Sequence, residues 1–406
     1  MRVTTLLNLL LRLPGLWVRG LEIHDDVLTI RVHRRFRKLT CPECGTRVRG
    51  RFQEKTRQWR HLGIWGFTTY IEGPIRRLRC PRCKAVRTEA VPWARHASDF
   101  TRPFEDAVGY LAQKLDHTAV TRLAGIAWYT VGRIAKRLMA ELLDESRFDG
   151  LRRIGIDEIF YRRHHRFLTV VVDHDRECVI WAGEGKTAKA LEPFFALLGP
   201  ERCRQIELVS LDMGLAYQKA VRQHLPNATI VFDHFHVVRM AQDALDQVRQ
   251  EVRRQVPRAQ RSTHRGMRWV VLRRANEHDK ESLFRLSLTQ TVNIPLYRGY
   301  LLKETLLQVY EYRDPVAARA WLLDWLNWAG RSQLRPFAKL AISVRRHMDG
   351  ILSYVTTGLS NGRVEGLNNK IRLLNHRAFG FHAAASLIAT VYLCCSNIAL
   401  PHVQLL

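Results

Sequence analysis

Residues 154–182 read IGIDEIFYRRHHRFLTVVVDHDRECVIWA, and their pattern decides the fold. Three runs rich in β-branched and aromatic residues stand in it, Ile154–Phe160, Phe167–Val172 and Cys178–Ala182, the composition of strands. The polar turn His174-Asp-Arg-Glu177 makes the last two a hairpin,. A helical pattern over Thr187–Leu198 then meets the stop signal Gly199-Pro200,. Beyond it come the buried-type strand Ile206-Glu-Leu-Val-Ser-Leu211, a helix from Gly214 to Pro226, and a strand from Ala228 to Phe232.

Three meandering strands followed by alternating helix and strand is the order of a ribonuclease-H-like mixed sheet, so the fold class expected here is α/β. Open sheets place their chemistry at strand ends. Asp157 lies on the first strand, in Ile154-Gly-Ile-Asp157-Glu158, and Asp212 directly follows the strand that ends at Leu211. In such a sheet these two strands are neighbours, so the carboxylates converge. Glu365 stands in the first turn of a helix, in Ser360-Asn-Gly-Arg-Val-Glu365-Gly-Leu-Asn-Asn-Lys370. Two magnesium ions about 4 Å apart neutralise the attacking and leaving oxygens of a phosphodiester reaction. Three acids with water suffice to hold them. Taken singly, each acid reads as surface charge or a helix cap. Strand alternation lets only one of Asp157 and Glu158 face such a site, and spacing leaves open which. Asn369 and Arg372, at i+4 and i+7 from Glu365, form a polar face that suits either phosphate or solvent,.

Upstream stand Cys41-Pro-Glu-Cys44 and Cys80-Pro-Arg-Cys83, separated by residues 45–79. Four thiolates at this spacing make a closed tetrahedral zinc site, and the metal replaces the core that so small a domain lacks. The surrounding stretch Val27–Arg95 holds 18 Lys/Arg against 4 Asp/Glu. Trp59, Trp65 and Phe67 among these cations suit contacts with phosphates or bases. Trp65 and Phe67 are expected in the small domain's core instead. Cys178, Cys203, Cys394 and Cys395 lack ligand spacing and read as core residues,.

From Phe104 to Leu143 the apolar spacing is helical, through Val108, Leu111, Leu115, Val120, Leu123, Ile126, Val131, Ile134 and Leu138. Two helices around Gly125, the second polar and basic over Trp128–Lys136, match a helix-turn-helix, and the pattern equally allows a plain helix pair. From His236 to about Gly350 strand signals nearly vanish, and stretches such as Val237–Val252 and Asp314–Trp328 predict an all-helical insertion. Asn361–Leu400 is helical again, with a start signal at Ser360-Asn361. Trp321, Trp325 and Trp328, at i, i+4 and i+7, form a stripe that reads as helix core,.

The chain of 406 residues exceeds what one hydrophobic core supports, so two to four domains are expected,. A net charge of +27 favours polyanionic partners through counterion release,. No stretch reads as membrane-binding: Thr4–Leu16 is interrupted by Arg12 and Pro14, and no apolar run reaches spanning length,. An intracellular protein without structural disulfides is therefore expected.

Taken together, these motifs resemble those of bacterial insertion-sequence transposases of the ISL-three type, over nearly the whole chain. The resemblance rests on the two cysteine pairs, the helix pair, Gly155-Ile-Asp157-Glu158, Ser210-Leu-Asp212-Met-Gly, Asp233-His-Phe-His236, Lys303-Glu304 and, most specifically, Asn361-Gly-Arg-Val-Glu365-Gly-Leu-Asn-Asn-Lys370. It implies a zinc-binding domain over 1–95, a helix-turn-helix over 96–150, a ribonuclease-H-like catalytic core over 151–235 and 355–406, and a helical insertion over 236–354. It also implies that Asp157, Asp212 and Glu365 are the catalytic acids of a DDE mechanism, holding Mg2+ or Mn2+, while Cys41, Cys44, Cys80 and Cys83 hold structural Zn2+. Asp233, His236 and Asn369 become candidates for supporting contacts. The implied partners are double-stranded inverted-repeat ends and target DNA, engaged by a homodimer or larger synaptic assembly, in the cytoplasm at the nucleoid. Related transposases hold a flipped base on an inserted aromatic, a role the Trp321 stripe would suit. Two competing readings are a non-catalytic DNA-binding regulator and a structure-selective nuclease or resolvase on the same carboxylates.

Overall fold

A computed structural model describes residues 3–11, 13–162, 166–255, 267–381 and 383–401, and these fall into two compact units. The first comprises Met1–Asp144 and Leu373–Leu406; the second is Glu145–Arg372. Of the positions named above, Arg12 and part of the helical stretch after His236, residues 256–266, lie outside the described residues.

The first unit opens with helix α1 (Val3–Leu11), which the apolar start of the chain forms, and then strands β1 (Leu16–His24) and β2 (Val27–Arg34). A two-stranded ribbon, β3 (Leu39–Thr40) and β4 (Arg47–Val48), precedes β5 (Gln53–Arg60), the long β6 (Thr68–Cys80) and β7 (Ala85–Thr88). The larger sheet runs β1-β2-β6-β5 with β7 also on β6. Alternation along these strands sends Ile30, Trp59 and Ile71 inward, where Trp59 meets Trp93 edge to face at 5.6 Å,. Phe67 packs against this core, as expected. Trp65 does not: it sits at the turn into β6 with φ of +51° and 79% of its surface exposed. The tight turn at Ile64-Trp65-Gly66-Phe67, closed by backbone hydrogen bonds between Ile64 and Phe67, throws the side chain outward.

Three helices follow: α2 (Arg102–Lys114), α3 (His117–Ala124) and α4 (Trp128–Leu142). Asp116 caps α3 by accepting from the Ala119 amide, and Gly125 ends it in the left-handed region,. The expected helix pair around Gly125 is thus present. Along α4, Val131, Ile134 and Leu138 are buried while Tyr129, Arg133 and Lys136 are exposed at i, i+4 and i+7. A buried carboxylate ties this region together: Glu105, fully enclosed, accepts from Arg95, Arg137 and Ser98.

The second unit carries the sheet read from residues 154–232: β8 (Arg153–Arg162), β9 (Arg166–Asp173), β10 (Cys178–Glu184), β11 (Leu208–Leu211) and β12 (Thr229–Phe232). Their order is β10-β9-β8-β11-β12, antiparallel across the first three and parallel across β8, β11 and β12. Helix α5 (Ala188–Gln205) runs through the expected stop, kinking at Gly199 with φ of +76°. Pro200 begins the new helical run, a position where its missing amide costs nothing. Helix α6 (Leu215–His224) completes the cover of one face, whose core includes Ile154, Ile156, Val209 and Leu211.

Between β12 and the final helices the chain is helical among its described residues: α7 (His234–Gln255), α8 (Met267–Leu272), α9 (Lys280–Val292), α10 (Ile294–Leu307), α11 (Pro315–Arg331), α12 (Arg335–Arg346) and α13 (Met348–Thr357). They share a core through Leu245, Leu302, Trp325 and Phe337. Helix α14 (Gly362–Arg377) follows, its last turn counted with the first unit, and then α15 (Ala384–Cys395). By compactness α15 is counted with the first unit, where Gln113 donates to the carbonyls of Leu393 and Ile398. An almost wholly apolar helix announces burial without announcing against what. Among the described residues no helix is long and apolar enough to cross a membrane.

Replacing Glu105 with alanine leaves Arg95 and Arg137 without their buried counter-charge, which costs on the order of 3–5 kcal/mol. Urea unfolding of Glu105→Ala should show that loss; a change below about 1 kcal/mol would mean the network is solvated in solution.

Candidate active site and metal centre

The parallel pairing of β8 with β11 sets Ser210 opposite Gly155. Carried two residues further, the same register brings Asp212 alongside Asp157. Ile154, Ile156, Val209 and Leu211 point into the core beneath α5 and α6. Alternation therefore sends Gly155, Asp157, Ser210 and Asp212 to the opposite face. Glu158 lies with the first set, beside Tyr217, whose phenol is kept protonated chiefly by burial and further by the Glu158 carboxylate. Of the two acids that spacing left tied, Asp157 is the one on the same face as Asp212.

The start of α14 covers this face. The Ser210 hydroxyl donates to Oδ1 of buried Asn361 and lies 2.7 Å from His174 Nε2, while Arg363 donates to the His174 carbonyl at 2.7 Å. Val364 fills the space above Gly155, where an added Cβ would overlap its methyl and stand 2.9 Å from His174 Nε2. One turn on, buried Asn368 donates its amide to Asp157 Oδ2 at 2.5 Å. Glu365 is exposed and three residues before Asn368, so the two share a helical face,. Asn369, named from the sequence, accepts instead from Arg372 at 2.7 Å and is exposed. The adjacent Asn368 faces the acid, and the two were indistinguishable from composition alone.

Burial pushes the Asp157 carboxyl up to about 6, against the pull of the Glu158 amide; the charge of Asp212 adds to the rise and His236 opposes it. Asp212 Oδ1 accepts from the Gly214 amide at 2.8 Å, which starts α6. Buried Asp233, at the end of β12, lies 3.4 Å from His236 Nδ1. That contact raises the His236 pKa against burial, and the charges of Asp212 and Asp157 add to the rise. His236 is thus within the field of both acids. The structure brings Asp157, Asp212, Asp233 and His236 into one electrostatic neighbourhood and anchors the Glu365 helix beside it. It does not draw the three acids to ligand distance. Among the described residues, Cys41, Cys44, Cys80 and Cys83 are the one group whose ligand atoms all lie within 4.8 Å of one another. The charge penalty on half-buried Asp157 is what a divalent cation would relieve, and its carboxylate chemistry suits such an ion,.

The cysteines behave as a tetrahedral site requires. Cys44 and Cys80 sulfurs stand 3.5 Å apart and Cys41 and Cys83 sulfurs 4.0 Å, close to the roughly 3.8 Å edge of a tetrahedron with zinc–sulfur bonds of about 2.3 Å. The Thr46 hydroxyl and amide at Cys44 bring that thiol down to about 6, while the contact with Cys44 pushes the Cys83 thiol up to about 12: gathered sulfurs resist full deprotonation, which a cation among them would relieve,. The other four cysteines are buried or half-buried away from this site, as expected.

Two further sequence features are structural. Lys303 is fully buried and donates to the carbonyls of Val271, Leu272 and Arg273, capping α8, with Glu304 2.6 Å away. Trp321 and Trp325 donate their indole N–H groups to the carbonyls of Thr305 and Leu302. Sequence reasoning missed His174, Ser210, Asn361 and Asn368. The two asparagines lie within the most specific motif, but nothing in the spacing marked His174.

Residues 154–391 match the ISL3 DDE family model described as "Transposase". Residues 37–83 match the "zinc-finger of transposase IS204/IS1001/IS1096/IS1165", and residues 89–139 the "Helix-turn-helix domain of transposase family ISL3". The chain is 37% identical over 361 residues to the transposase for insertion sequence element IS1557 of Mycobacterium tuberculosis, covering 83% of this chain and 81% of that protein. It is 29% identical over 373 residues to the transposase for IS1001 of Bordetella parapertussis, covering 90% and 92%. The chain belongs to the ISL3 family of insertion-sequence transposases.

Burial, and then the charges of Arg363 and Arg153, hold the His174 pKa down to about 4, against 6.5 in an open chain. Between those values the unfolded chain binds a proton that the folded one refuses, so stability falls as pH falls from about 6.5 to about 4. The full loss is on the order of 3 kcal/mol at 1.36 kcal/mol per unit. His174→Gln should flatten the pH dependence of urea unfolding across this window by up to one proton; an unchanged slope would place the imidazole in solvent.

Proposed function

We propose that this transposase binds the terminal inverted repeats of its own insertion sequence, cleaves the DNA by phosphodiester hydrolysis and joins the freed 3′-hydroxyl ends to target DNA. The observation that carries this reading is the placement of Asp157 and Asp212 on one face of two adjacent parallel strands, under the helix that bears Glu365. The strand order β10-β9-β8-β11-β12 supports a ribonuclease-H-like core for that face. Divalent ions, Mg2+ or Mn2+, when bound supply Lewis-acid activation of water and neutralise charge on the phosphate. Asp157, Asp212 and Glu365 are the residues that would hold them. Asn368 orients Asp157 by donating to Oδ2, while Oδ1 accepts from the Glu158 amide, so the carboxylate is held from both oxygens. His236, kept protonated more readily by Asp233, supplies a positive group within reach of the acids' field,.

DNA contact in this reading begins at the helix-turn-helix, where Tyr129, Arg133 and Lys136 line the exposed side of α4,. The zinc ribbon adds cations held in place by Zn2+ at the four cysteines. Synapsis of two ends calls for a homodimer or larger assembly, acting at the nucleoid in the cytoplasm.

Purified protein with Mg2+, a labelled inverted-repeat duplex and a supercoiled target should yield both cleaved ends and joined products. Asp157→Asn, Asp212→Asn and Glu365→Gln should each slow cleavage by about a thousandfold, the several kcal/mol that metal-held charge contributes. Cleavage without joining would favour the nuclease reading, and binding without cleavage the regulator. For the ribbon, native mass spectrometry should find one zinc ion per chain, lost in Cys80→Ser, with a lower melting temperature for the first unit because binding and folding energy are shared. A zinc-free chain melting like wild type would sink that part.

A further inference from the structure

Within the first unit a cleft of about 1110 Å³ opens beside the β3/β4 ribbon. Arg37 and Lys38, which lead into β3, and Arg47 and Arg49, in and after β4, line it, and no carboxylate does. All four are exposed, and none has a side-chain partner among the described residues. Six other cations of the same domain, Arg31, Arg34, Arg51, Arg57, Arg76 and Arg87, each meet a carboxylate. Four like charges gathered in one cleft without a carboxylate make a concavity of positive potential that favours an anion.

The cleft is also lined by apolar side chains, Phe36, Ala90, Val91 and Pro92. Phe36 is fixed from both sides. The Arg34 guanidinium, itself buried in an ion pair with Glu89, lies 4.2 Å over its ring, and a side chain at Gly15 would collide with that ring. A single small anion would leave most of this charge unmet. A polymer with evenly spaced phosphates and apolar sugar faces meets both kinds of lining at once.

We propose that this cleft holds one sugar–phosphate strand of the inverted-repeat duplex, with phosphates on Arg37, Lys38, Arg47 and Arg49 and deoxyribose against Phe36, Val91 and Pro92. The proposal rests on the DNA-end-binding reading above and locates a second grip on the duplex, separate from the exposed side of α4. Its contacts carry position and affinity, not sequence, so they act equally on any duplex.

The test is fluorescence anisotropy of full-length protein with a labelled inverted-repeat duplex and a scrambled duplex of equal length, across a salt series. Arg47→Gln/Arg49→Gln should reduce the slope of log affinity against log salt by about 1.8 for both duplexes, about 0.9 per lost phosphate contact. Zinc content and melting temperature should stay at wild-type values. If that pair disturbs the ribbon, Arg37→Gln/Lys38→Gln, outside the two strands, carries the same expectation. An unchanged slope overturns the proposal. So does an equal reduction in Lys55→Gln/Arg77→Gln, which removes two exposed cations outside the cleft and would reduce the effect to net charge. Wild-type protein that binds both duplexes equally at every salt concentration would instead count against end recognition, while the slope difference still decides the cleft.

Discussion

Gly155 has no side chain, and the first turn of α14 occupies the room one would take. The rest of the acid site depends on this close approach. It lets Val364 seat on β8 and lets the Ser210 hydroxyl reach Asn361, 151 residues along the chain. One turn later the same helix delivers Asn368 to Asp157 across 211 residues. Closing loops of this length costs little more than closing shorter ones. What must be matched is the polarity of the contact: each of these buried bonds is worth only about 1 kcal/mol net, but an orphaned partner costs about 1–3 kcal/mol. The bonds therefore specify where α14 sits more than they hold it there. With the helix so placed, Glu365 lies on the turn between Asn361 and Asn368, the two residues that anchor it.

The site's charge runs against that of the chain. In a protein of net charge +27 the acid face gathers Asp157, Asp212 and Asp233 with partial compensation from His236. Such a face repels a phosphodiester on its own, and the raised pKa of Asp157 is the same repulsion and burial felt internally. Cation binding removes both penalties together, so affinity for a divalent ion and tolerance of DNA at this face have one cause. The cations proposed here to attract the duplex lie elsewhere, on the ribbon and on α4. Attraction and chemistry are thereby separated along the chain, and neither has to compromise the other.

Much of this was legible in the sequence, for reasons that differ by element. The β8–β12 order could be read because its strands are short, β-branched and punctuated by clear turns. The zinc ligands could be read because thiol pairs at that spacing have few other uses. The helix pair showed itself through Gly125, whose left-handed φ no other residue adopts as cheaply,. Other features depended on tertiary facts that no local pattern carries. Gly199-Pro200 has the composition of a stop, yet a kinked helix accommodates both. Trp59 and Trp65 differ only in strand phase and turn geometry, and one is core while the other is exposed. Asn368 and Asn369 differ by 100° of helical rotation, which decides which one reaches Asp157.

The helical segment between β12 and α14 has a consequence for the site beyond its own core. It leaves the sheet at His234 and returns through α13, which packs on β12: the Phe232 ring fills the space beside Gly350 and meets His347 edge to face at 5.1 Å. Around the exit, the rings of His234, Tyr310 and Tyr354 pack edge-on or tilted, with centroids 4.9 to 5.6 Å apart. Asp233 is buried beside that cluster, and its charge is felt by both tyrosines, whose pKa values rise chiefly through burial and further through that carboxylate. The inserted helices are thus what encloses Asp233, and Asp233 in turn is what holds His236 toward its charged form. A change deep in this segment that loosened the Tyr310 and Tyr354 packing would hydrate Asp233, weaken its hold on His236 and lower the positive charge beside Asp157 and Asp212. Through that chain of contacts, a segment without a carboxylate on the acid face still sets the electrostatics there.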